Sequence, residues 1–322
     1  MKRQALLFVC LALALPLSAN NFRVADVVYL PTAGRVSVFN TDVFLSNPNA
    51  ERVSVSVAFA PTDTADNSGV IASARTLAVL EPGERRAIAN PMAIFGLENA
   101  LGQLIFFGCR EGAPECDCAD APGDCRGISV EARIYATSTN CPNGAAACTT
   151  GQLFSGLPWY AYAARDSASG YDRVFIAGIR QSSGFRTNIG LINASQFSST
   201  ELTLTLFDAH GVPIGAPRAI TLGPLGHLQR KIGQLVAEGA AFEGTAWALV
   251  EQTGVTPTAA AAANGCADGC PGFFAYGSLL DNATNDPTTL EAQFFGSLTT
   301  GQLGCIFASA QAPARRVRRM AR

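Results

Sequence analysis

The stretch FNTDVFLSN at residues 39–47 returns 146 residues later as FRTNIGLIN at residues 185–193. Both stretches begin with Phe-x-Thr and end with Leu-x-Asn, and at the same offset Val28-Tyr29-Leu30 corresponds to Val174-Phe175-Ile176. Similarity that recurs at a fixed offset is the signature of internal repetition. The sequence therefore predicts two copies of one domain.

Each copy continues with a run in which every second residue is apolar, Val53 to Phe59 in the first and Leu202 to Leu206 in the second. Such alternation is typical of a strand with one buried face. Each copy holds about seven such short segments between Gly, Pro, Asn and Asp turns, a spacing that favours an antiparallel sandwich. Helical candidates are confined to Pro91–Ala100 and Ile232–Glu238. The predicted fold is all-β, with two tandem antiparallel immunoglobulin-like β-sandwich domains.

The predicted boundaries follow the repeat. Copy 1 spans residues 22–165 with a cysteine-rich insertion at about 107–127, and copy 2 spans residues 172–310. A small polar linker at residues 166–172 separates them. Residues 311–322 form a basic tail that we expect to be disordered.

Late in each copy stands an aromatic segment, Trp159–Ala163 in the first and Phe273–Gly277 in the second. We align these two segments as equivalent strands. The copies differ in the cysteine-rich insertion and in the ending Asp281–Pro287. If either copy has its own specificity, these two unshared segments are where the sequence predicts it.

The first 19 residues have the layout of a secretory signal peptide. Lys2 and Arg3 precede an apolar run from Ala5 to Leu15, and Ala19 is a small residue suited to cleavage. An uncleaved membrane anchor is the alternative, but the apolar run is shorter than the ~20 residues that a span needs. No later stretch is apolar enough to cross a bilayer. The expected location is secreted, periplasmic or at the cell surface.

Charge argues against nucleic acid as a partner. Of 23 basic residues, two lie in the signal segment and five in the C-terminal tail, which leaves 16 against 25 acidic residues. An acidic body is poorly suited to neutralising phosphates. The arginine-rich tail is either a solvated end or a contact for an anionic surface.

Cysteines in an exported chain are disulfide candidates first. Cys141 and Cys148 enclose a short loop before the aromatic segment of copy 1, and Cys266 and Cys270 do so in copy 2. We predict a disulfide in each pair. Loops this short remove little chain entropy, so each bridge stabilises by less than the usual ~2–4 kcal/mol.

The second cluster of cysteines lies in the insertion of copy 1 and comprises Cys109, Cys116, Cys118 and Cys125. Three pairings are open, of which Cys116 with Cys118 is the least suited because their side chains diverge. Disulfides that include Cys109 and Cys125 are expected; a four-thiolate zinc site is the alternative, although its spacing is unusual. Cys305 has no predicted partner within the chain and is either a free thiol or disulfide-bonded to another chain.

No catalytic motif is present. His210 and His227 follow turns and are expected to be exposed loop residues, and the chain has no nucleophile elbow, zinc-protease helix, phosphate loop or dinucleotide fingerprint. The acidic turns Asp63–Gly69 and Asp281–Asp286 could supply oxygen ligands to calcium, but neither matches a known calcium loop. Asx residues populate turns for local reasons alone. The sequence thus predicts no catalytic residue, cofactor or metal site, with calcium as the alternative.

The layout resembles uncharacterised secreted bacterial proteins with tandem immunoglobulin-like repeats. The resemblance is carried by Phe185-x-Thr187 with Leu191-x-Asn193, by Asp208-x-x-Gly211, and by Tyr276-Gly277-Ser278 leading to Asp281-Asn282-x-Thr284-x-Asp286-Pro287. The first copy lacks the last of these elements. The resemblance implies a sandwich-like fold, and it supplies no function that could be carried over to this chain.

These features together favour an exported non-catalytic module for binding, adhesion or surface structure, with a protein or glycan partner at the cell surface. The alternative is a secreted hydrolase, for example a carbohydrate-active enzyme, whose paired carboxylates have no recognisable motif. The two differ in one structural feature: a hydrolase should show a cleft with converging acidic or histidine side chains.

Overall fold

The computed structural model describes residues 24–36, 38–113, 122–138, 141, 147–165, 171–236 and 242–296. The predicted signal peptide, the middle of the linker (166–170), Cys116, Cys118, Cys305 and the basic tail lie outside these residues. Among the described residues no helix is long and apolar enough to cross a membrane.

The described chain is all-β, as predicted, and its sheets are antiparallel. The strands of the first half are β1 (Val27–Arg35), β2 (Phe39–Ser46), β3 (Val53–Pro61), β4 (Arg75–Leu80), β5 (Arg85–Ala89), β6 (Ala100–Arg110), β7 (Ser129–Ser138), β8 (Cys148–Ser155) and β9 (Leu157–Pro158). Those of the second half are β10 (Tyr171–Gln181), β11 (Phe185–Asn193), β12 (Ser198–Asp208), β13 (Arg218–Leu222), β14 (His227–Lys231), β15 (Gly244–Pro257), β16 (Phe273–Asp281), β17 (Pro287–Glu291) and β18 (Gln293–Gly296).

Helix is confined to short pieces. The α-helix α1 (Ile232–Leu235) and the 3-10 segment Pro91–Phe95 fall at the two positions where the sequence predicted longer helices. Other 3-10 segments cover Ser68–Ser73, Pro122–Asp124 and Ala262–Asn264.

The two halves have the same strand order. The first half forms the sheets β4-β3-β6-β1-β9 and β5-β2-β7-β8, and the second forms β13-β12-β15-β10-β18 and β14-β11-β16-β17. Adding nine to each strand number of the first half gives the second half. Even the register shift of β1 between Leu30 and Ala33 returns in β10 between Ile176 and Ile179. The topology agrees with the duplication inferred from the sequence.

This equivalence corrects two sequence alignments. Trp159–Ala163 follows β9 as a turn, whereas the counterpart of β16 is β7 (Ser129–Ser138). The loop Cys266–Cys270 therefore corresponds to the cysteine-rich insertion between β6 and β7, and not to the Cys141–Cys148 loop. The error arose because aromatic composition was matched without the strand register that defines equivalent positions.

The finer prediction of two tandem immunoglobulin-like sandwiches is not clearly met. The four sheets follow one another in a four-bladed, propeller-like arrangement, and residues Arg23–Phe295 form one compact unit. The main apolar core of the first half also contains Ile192, Leu225, Phe274 and Tyr276 of the second. A second core lies within the second half, around Ile176, Ile189 and Phe273. Apolar surface is therefore shared between the halves.

The shared Phe-x-Thr and Leu-x-Asn motifs have structural roles. The Thr187 hydroxyl donates to Arg180 O (2.8 Å) and accepts from Arg180 N (3.0 Å), and Thr41 does the same with Gly34. Asn47 and Asn193 are buried, and their amides donate to the equivalent carbonyls of Glu81 (3.0 Å) and Gly223 (2.9 Å). Buried hydrogen-bonding groups that are left unpaired are costly, which explains why both copies use the same residue types at these positions.

A Thr187→Val variant should therefore lower the free energy of unfolding by about 1.5 kcal/mol, because two backbone groups of Arg180 lose a buried partner while the shape is kept. Urea denaturation measures the change. Thr221→Val, at an exposed position of the edge strand β13, is the control and should change stability by less than about 0.5 kcal/mol. Equal stability of the two variants would contradict the structural role of Thr187.

Both predicted short loops are closed by disulfides. The Cα atoms of Cys141 and Cys148 lie 5.6 Å apart, and those of Cys266 and Cys270 lie 5.0 Å apart. Cys109 and Cys125 are also disulfide-bonded, and their backbones pair as an antiparallel bridge. Because these two sulfurs are engaged in disulfides, the zinc alternative does not apply to them.

Candidate functional site

The candidate site lies where the sheet β14-β11-β16-β17 of the second half faces the first half. On β11, Ile189 and Leu191 belong to the core of the second half, whereas Ile192 belongs to the core shared with the first. On β16 the same division separates Phe273 from Phe274. This sheet is thus covered on both faces, and the face toward the first half carries the polar side chains described below.

A polar cluster stands at this contact and consists of the buried residues Thr32, His227 and Tyr276 together with the half-buried Gln229. The register places Gly190 of β11 between Gln229 of β14 and Tyr276 of β16. A Cβ at Gly190 would lie 2.0 Å from the Tyr276 ring, so the glycine lets this ring cross β11. The Tyr276 hydroxyl then donates to Gln229 Oε1 at 2.7 Å, and the Thr32 hydroxyl donates to the same oxygen at 3.1 Å.

His227 completes the cluster. Its Nε2 lies 3.0 Å from the Tyr276 hydroxyl oxygen. Because the single Tyr276 proton is given to Gln229, we assign the imidazole proton to Nε2, which donates to the Tyr276 oxygen. Nδ1 is then a buried acceptor without a partner among the described residues. The arrangement holds His227 as a neutral structural link.

Burial determines how these groups titrate. Loss of solvation lowers the pKa of His227 to about 4, against a smaller opposite effect of the Asp63 carboxylate. The same cause raises the pKa of Tyr276 above its usual value. The sequence-based expectation that His227 is an exposed loop residue was wrong, since only 2% of its surface is accessible; His210, by contrast, is exposed. His227 is buried because the loop 62–67 of the first half covers it.

That loop is the turn considered for calcium, and in the structure it joins the halves. The backbone N–H of Asp63 donates to His227 O at 2.9 Å, and the Asp63 carboxylate pairs with Arg230 at 2.7 Å. Asn67 N donates to Pro224 O at 2.9 Å. Within the described ranges no cluster of three or more acidic, His or Cys side chains could hold a metal ion.

The other predicted calcium turn, Asp281–Asp286, is held by local bonds. Asp281 Oδ1 accepts from the N–H groups of Ala283 (2.8 Å) and Thr284 (2.9 Å), which lowers the pKa of the Asp281 carboxyl. The turn positions Asn282 and Asn285, whose amide oxygens accept from the Arg186 guanidinium at 2.7 and 2.9 Å. The turn therefore fixes the orientation of the Arg186 guanidinium.

Next to the polar cluster a cleft of about 730 Å³ opens between the halves. Its volume lies in the range of small-molecule sites, and its lining mixes apolar surface with a few polar groups, as such sites do. Both halves contribute lining residues: Thr32, Gly34, Val36, Phe39, Leu101, Ile134 and Gln152 from the first, and Gln181, Arg186, Asn188, Gln229, Lys231, Gly233, Gln234, Ser278, Leu280, Asn282 and Pro287 from the second.

The polar side chains of this lining are all either neutral or positively charged. Side-chain amides, hydroxyls and two cations, Arg186 and Lys231, supply its polar groups, and the described lining contains no Asp or Glu. Neither cation has a salt bridge to a described carboxylate. The cleft is thus a positively charged, hydrogen-bonding surface.

A second groove of about 560 Å³ lies on the outer face of β10 and β15, against Phe175, Trp247 and Leu249. Trp247 stacks on Phe207 with ring centres 4.2 Å apart. The groove is almost wholly apolar and lacks the convergent polar groups that orient a ligand. The cleft between the halves is therefore the stronger candidate site.

Of the residues predicted from the sequence, the ending Asp281–Pro287 reaches the cleft, through Asn282 and Pro287. The described disulfides do not line it. Arg186 and Gln229 had no motif to mark them, and Tyr276 was marked only as part of the aromatic segment and of the resemblance. One signal was present: the run Phe273–Leu280 is nearly continuous in apolar residues, which is typical of a strand covered on both faces.

No family model and no curated protein matches the chain. Among solved structures, one titled "Biofilm associated protein - BSP domain" is similar at 9% sequence identity with a TM-score of 0.17. The alignment covers 86% of this chain and 60% of that chain. A similarity at this level carries no argument about fold or function.

Proposed function

We propose that this protein is an exported non-catalytic module that binds a glycan or protein at the cell surface through the cleft between its halves. The observation that carries the proposal is the lining of that cleft over about 730 Å³, to which the first half contributes a hydroxyl and an amide and the second half contributes amides, a hydroxyl and two cations. Tandem duplication of one sandwich-like unit is the proposed origin of the two halves.

The joint between the halves supports binding by a preformed site. Tyr29 donates to Ala194 O at 2.8 Å and packs on Phe274, and Gln103 donates to Leu225 O at 2.9 Å. These contacts are buried and hold the two walls together. A site that needs little ordering on binding loses less affinity to conformational entropy.

The same lining disfavours the hydrolase alternative. Hydrolysis of a glycoside uses a pair of carboxyl groups on either side of the scissile bond, and the described lining of the cleft offers none. His227 is buried and does not line the cleft, and its pKa of about 4 and its bond to Tyr276 suit a structural link better than a general base.

Disulfides are compatible with the proposed export. They persist in oxidising compartments, and the chain carries them at Cys141–Cys148 and Cys266–Cys270. The proposal of a signal peptide at residues 1–19 rests on the sequence, and N-terminal sequencing of the protein from the medium or periplasm would test it.

The cleft is tested by blocking it. An Asn188→Trp variant should fill the floor of the cleft and abolish binding of whatever glycans or proteins the wild-type protein captures on an array. Gln234→Trp, at the exposed rim, is a second blocking variant with less risk to folding. Thr221→Trp, on the exposed edge strand β13, is the control and should bind as the wild type does. Array signals that survive both blocking variants, or turnover of a captured glycan, would overturn the proposal.

A further inference from the structure

We infer that the cleft takes an oligosaccharide that carries carboxylates, that is, one containing uronic acid units, with Arg186 as the carboxylate contact. This inference rests on the proposed function and specifies its ligand. It draws on the state of Arg186, on the second cation at Lys231 and on the amide lining.

The Arg186 guanidinium is held in the cleft by neutral partners. It donates to two neutral amide oxygens, of Asn282 and Asn285. These bonds fix the plane of the group without neutralising it, and they leave three of its five N–H donors for a ligand. A fixed guanidinium is suited to bidentate pairing with a planar carboxylate.

Lys231 places a second cation on the same sheet face. It pairs in register with Asn188, which lies two residues from Arg186 on β11 and hence on the same face. The ammonium is exposed. Two cations without a carboxylate in the described lining make the cleft favourable for a ligand with more than one negative charge.

The remaining polar groups fit hydroxyls. Asn188 carries a side-chain amide that both donates and accepts, as the neighbouring hydroxyls of a sugar ring do, whereas the Gln152 amide already bonds the Ser278 hydroxyl at 3.0 Å. Thr32 and Tyr276 occupy Gln229 Oε1, which orients its NH₂ group as a donor. Phe39 and Leu280 supply apolar lining for the C–H face of a sugar ring. This mixture favours an acidic sugar over a simple inorganic anion.

The experiment is isothermal titration calorimetry of the mature full-length chain with trimers of galacturonate, alginate and hyaluronan. Carboxyl-reduced counterparts of the same length, a triglutamate peptide and inorganic phosphate serve as comparison probes. We expect at least one uronate oligosaccharide to bind at least tenfold more tightly than its reduced counterpart. Added salt should weaken that binding, since the contact is between charges.

Variants locate the contact. Arg186→Gln should weaken uronate binding at least tenfold, and Lys231→Gln should weaken it about threefold because a flexible ammonium makes a less directional contact. Arg218→Gln removes a cation from the exposed edge strand β13 and is the matched control; its affinity should stay within twofold of the wild type.

Each other outcome is decisive. If the reduced sugars bind as well as the uronates and Asn188→Trp abolishes both, the cleft binds neutral sugars, so the carboxylate inference fails while the proposed function stands. If triglutamate binds as tightly as the uronates, the cleft is a site for acidic peptides. If phosphate binds as tightly as the uronates, the cleft is a simple anion site. Either result overturns the inference that the ligand is an acidic sugar. If none of the uronates binds, or if binding ignores both Arg186→Gln and Lys231→Gln, the inference is overturned whatever the array shows.

Discussion

A Gly223→Ala variant is expected to lose at least about 3 kcal/mol of unfolding free energy, because the added methyl has no space at the joint between the halves. A Cβ built at Gly223 would lie 1.7 Å from the carbonyl oxygen of Ala65. That oxygen belongs to backbone, so it cannot rotate away as a side chain would. Relief requires the loop 62–67 to move off the second half, at the cost of the bond from Asn67 N to Pro224 O.

Urea denaturation followed by circular dichroism measures this loss. Gly233→Ala is the control, since a Cβ at Gly233 meets nothing within 4 Å. The control should be as stable as the wild type. If Gly223→Ala matches it, the two halves do not pack as closely as this contact requires.

Acidification should destabilise the protein through His227, by about 3 kcal/mol between pH 7 and pH 4. The folded state holds the pKa of His227 at about 4, whereas the unfolded chain has the ordinary value of 6.5. The unfolded state therefore binds more protons between these two values, and stability falls as the pH drops through them. Each pKa unit corresponds to about 1.36 kcal/mol, and below pH 4 the loss due to His227 levels off.

The prediction is tested by thermal melting of the wild type, His227→Gln and His210→Gln from pH 7 to pH 4. His227→Gln should remove most of the slope, and His210→Gln, at an exposed turn, should keep it. Protonation of carboxylates with a lowered pKa, such as Asp66 and Asp281, also destabilises the folded state in acid, but at lower pH and equally in all three proteins. Parallel slopes for the wild type and His227→Gln would show that charging of His227 does not govern acid stability.

Both predictions concern the joint between the halves, which the sequence did not indicate. Gly223 stands where the first copy has Glu81, as their equivalent bonds to Asn193 and Asn47 indicate. The glycine is needed in only one copy, because only there does a loop of the other half approach. Comparing the two copies in sequence shows that Gly223 replaces Glu81, but it does not show why a glycine is needed there.

Local features were predictable from the sequence. The alternating runs identified strands such as β3 and β12, and Asp208 and Gly211 mark a turn that the structure contains, with Gly211 at a φ of 81°. The two short disulfide loops were also anticipated. Each of these depends on side-chain periodicity, backbone preference or proximity along the chain, all of which a single sequence carries.

The candidate site was beyond such reasoning. Arg186 and Lys231 become one charged surface only when β11 and β14 pair, and His227 becomes neutral and buried only when the loop 62–67 closes over it. The bond between Thr32 and Gln229 joins positions 197 residues apart in the chain. No local pattern specifies which faces of the two copies meet.

The sequence by itself predicted a β-rich chain with an internal repeat and two short disulfide loops, because those features depend on repetition, local periodicity and proximity along the chain. The tertiary structure alone decided that residues of the second half join the core of the first, and that the two halves enclose a cleft lined by amides and two cations. The physical reason is that the sequence of a strand shows which of its residues are apolar, whereas the surface that buries the second face of a sheet is supplied by a distant part of the chain.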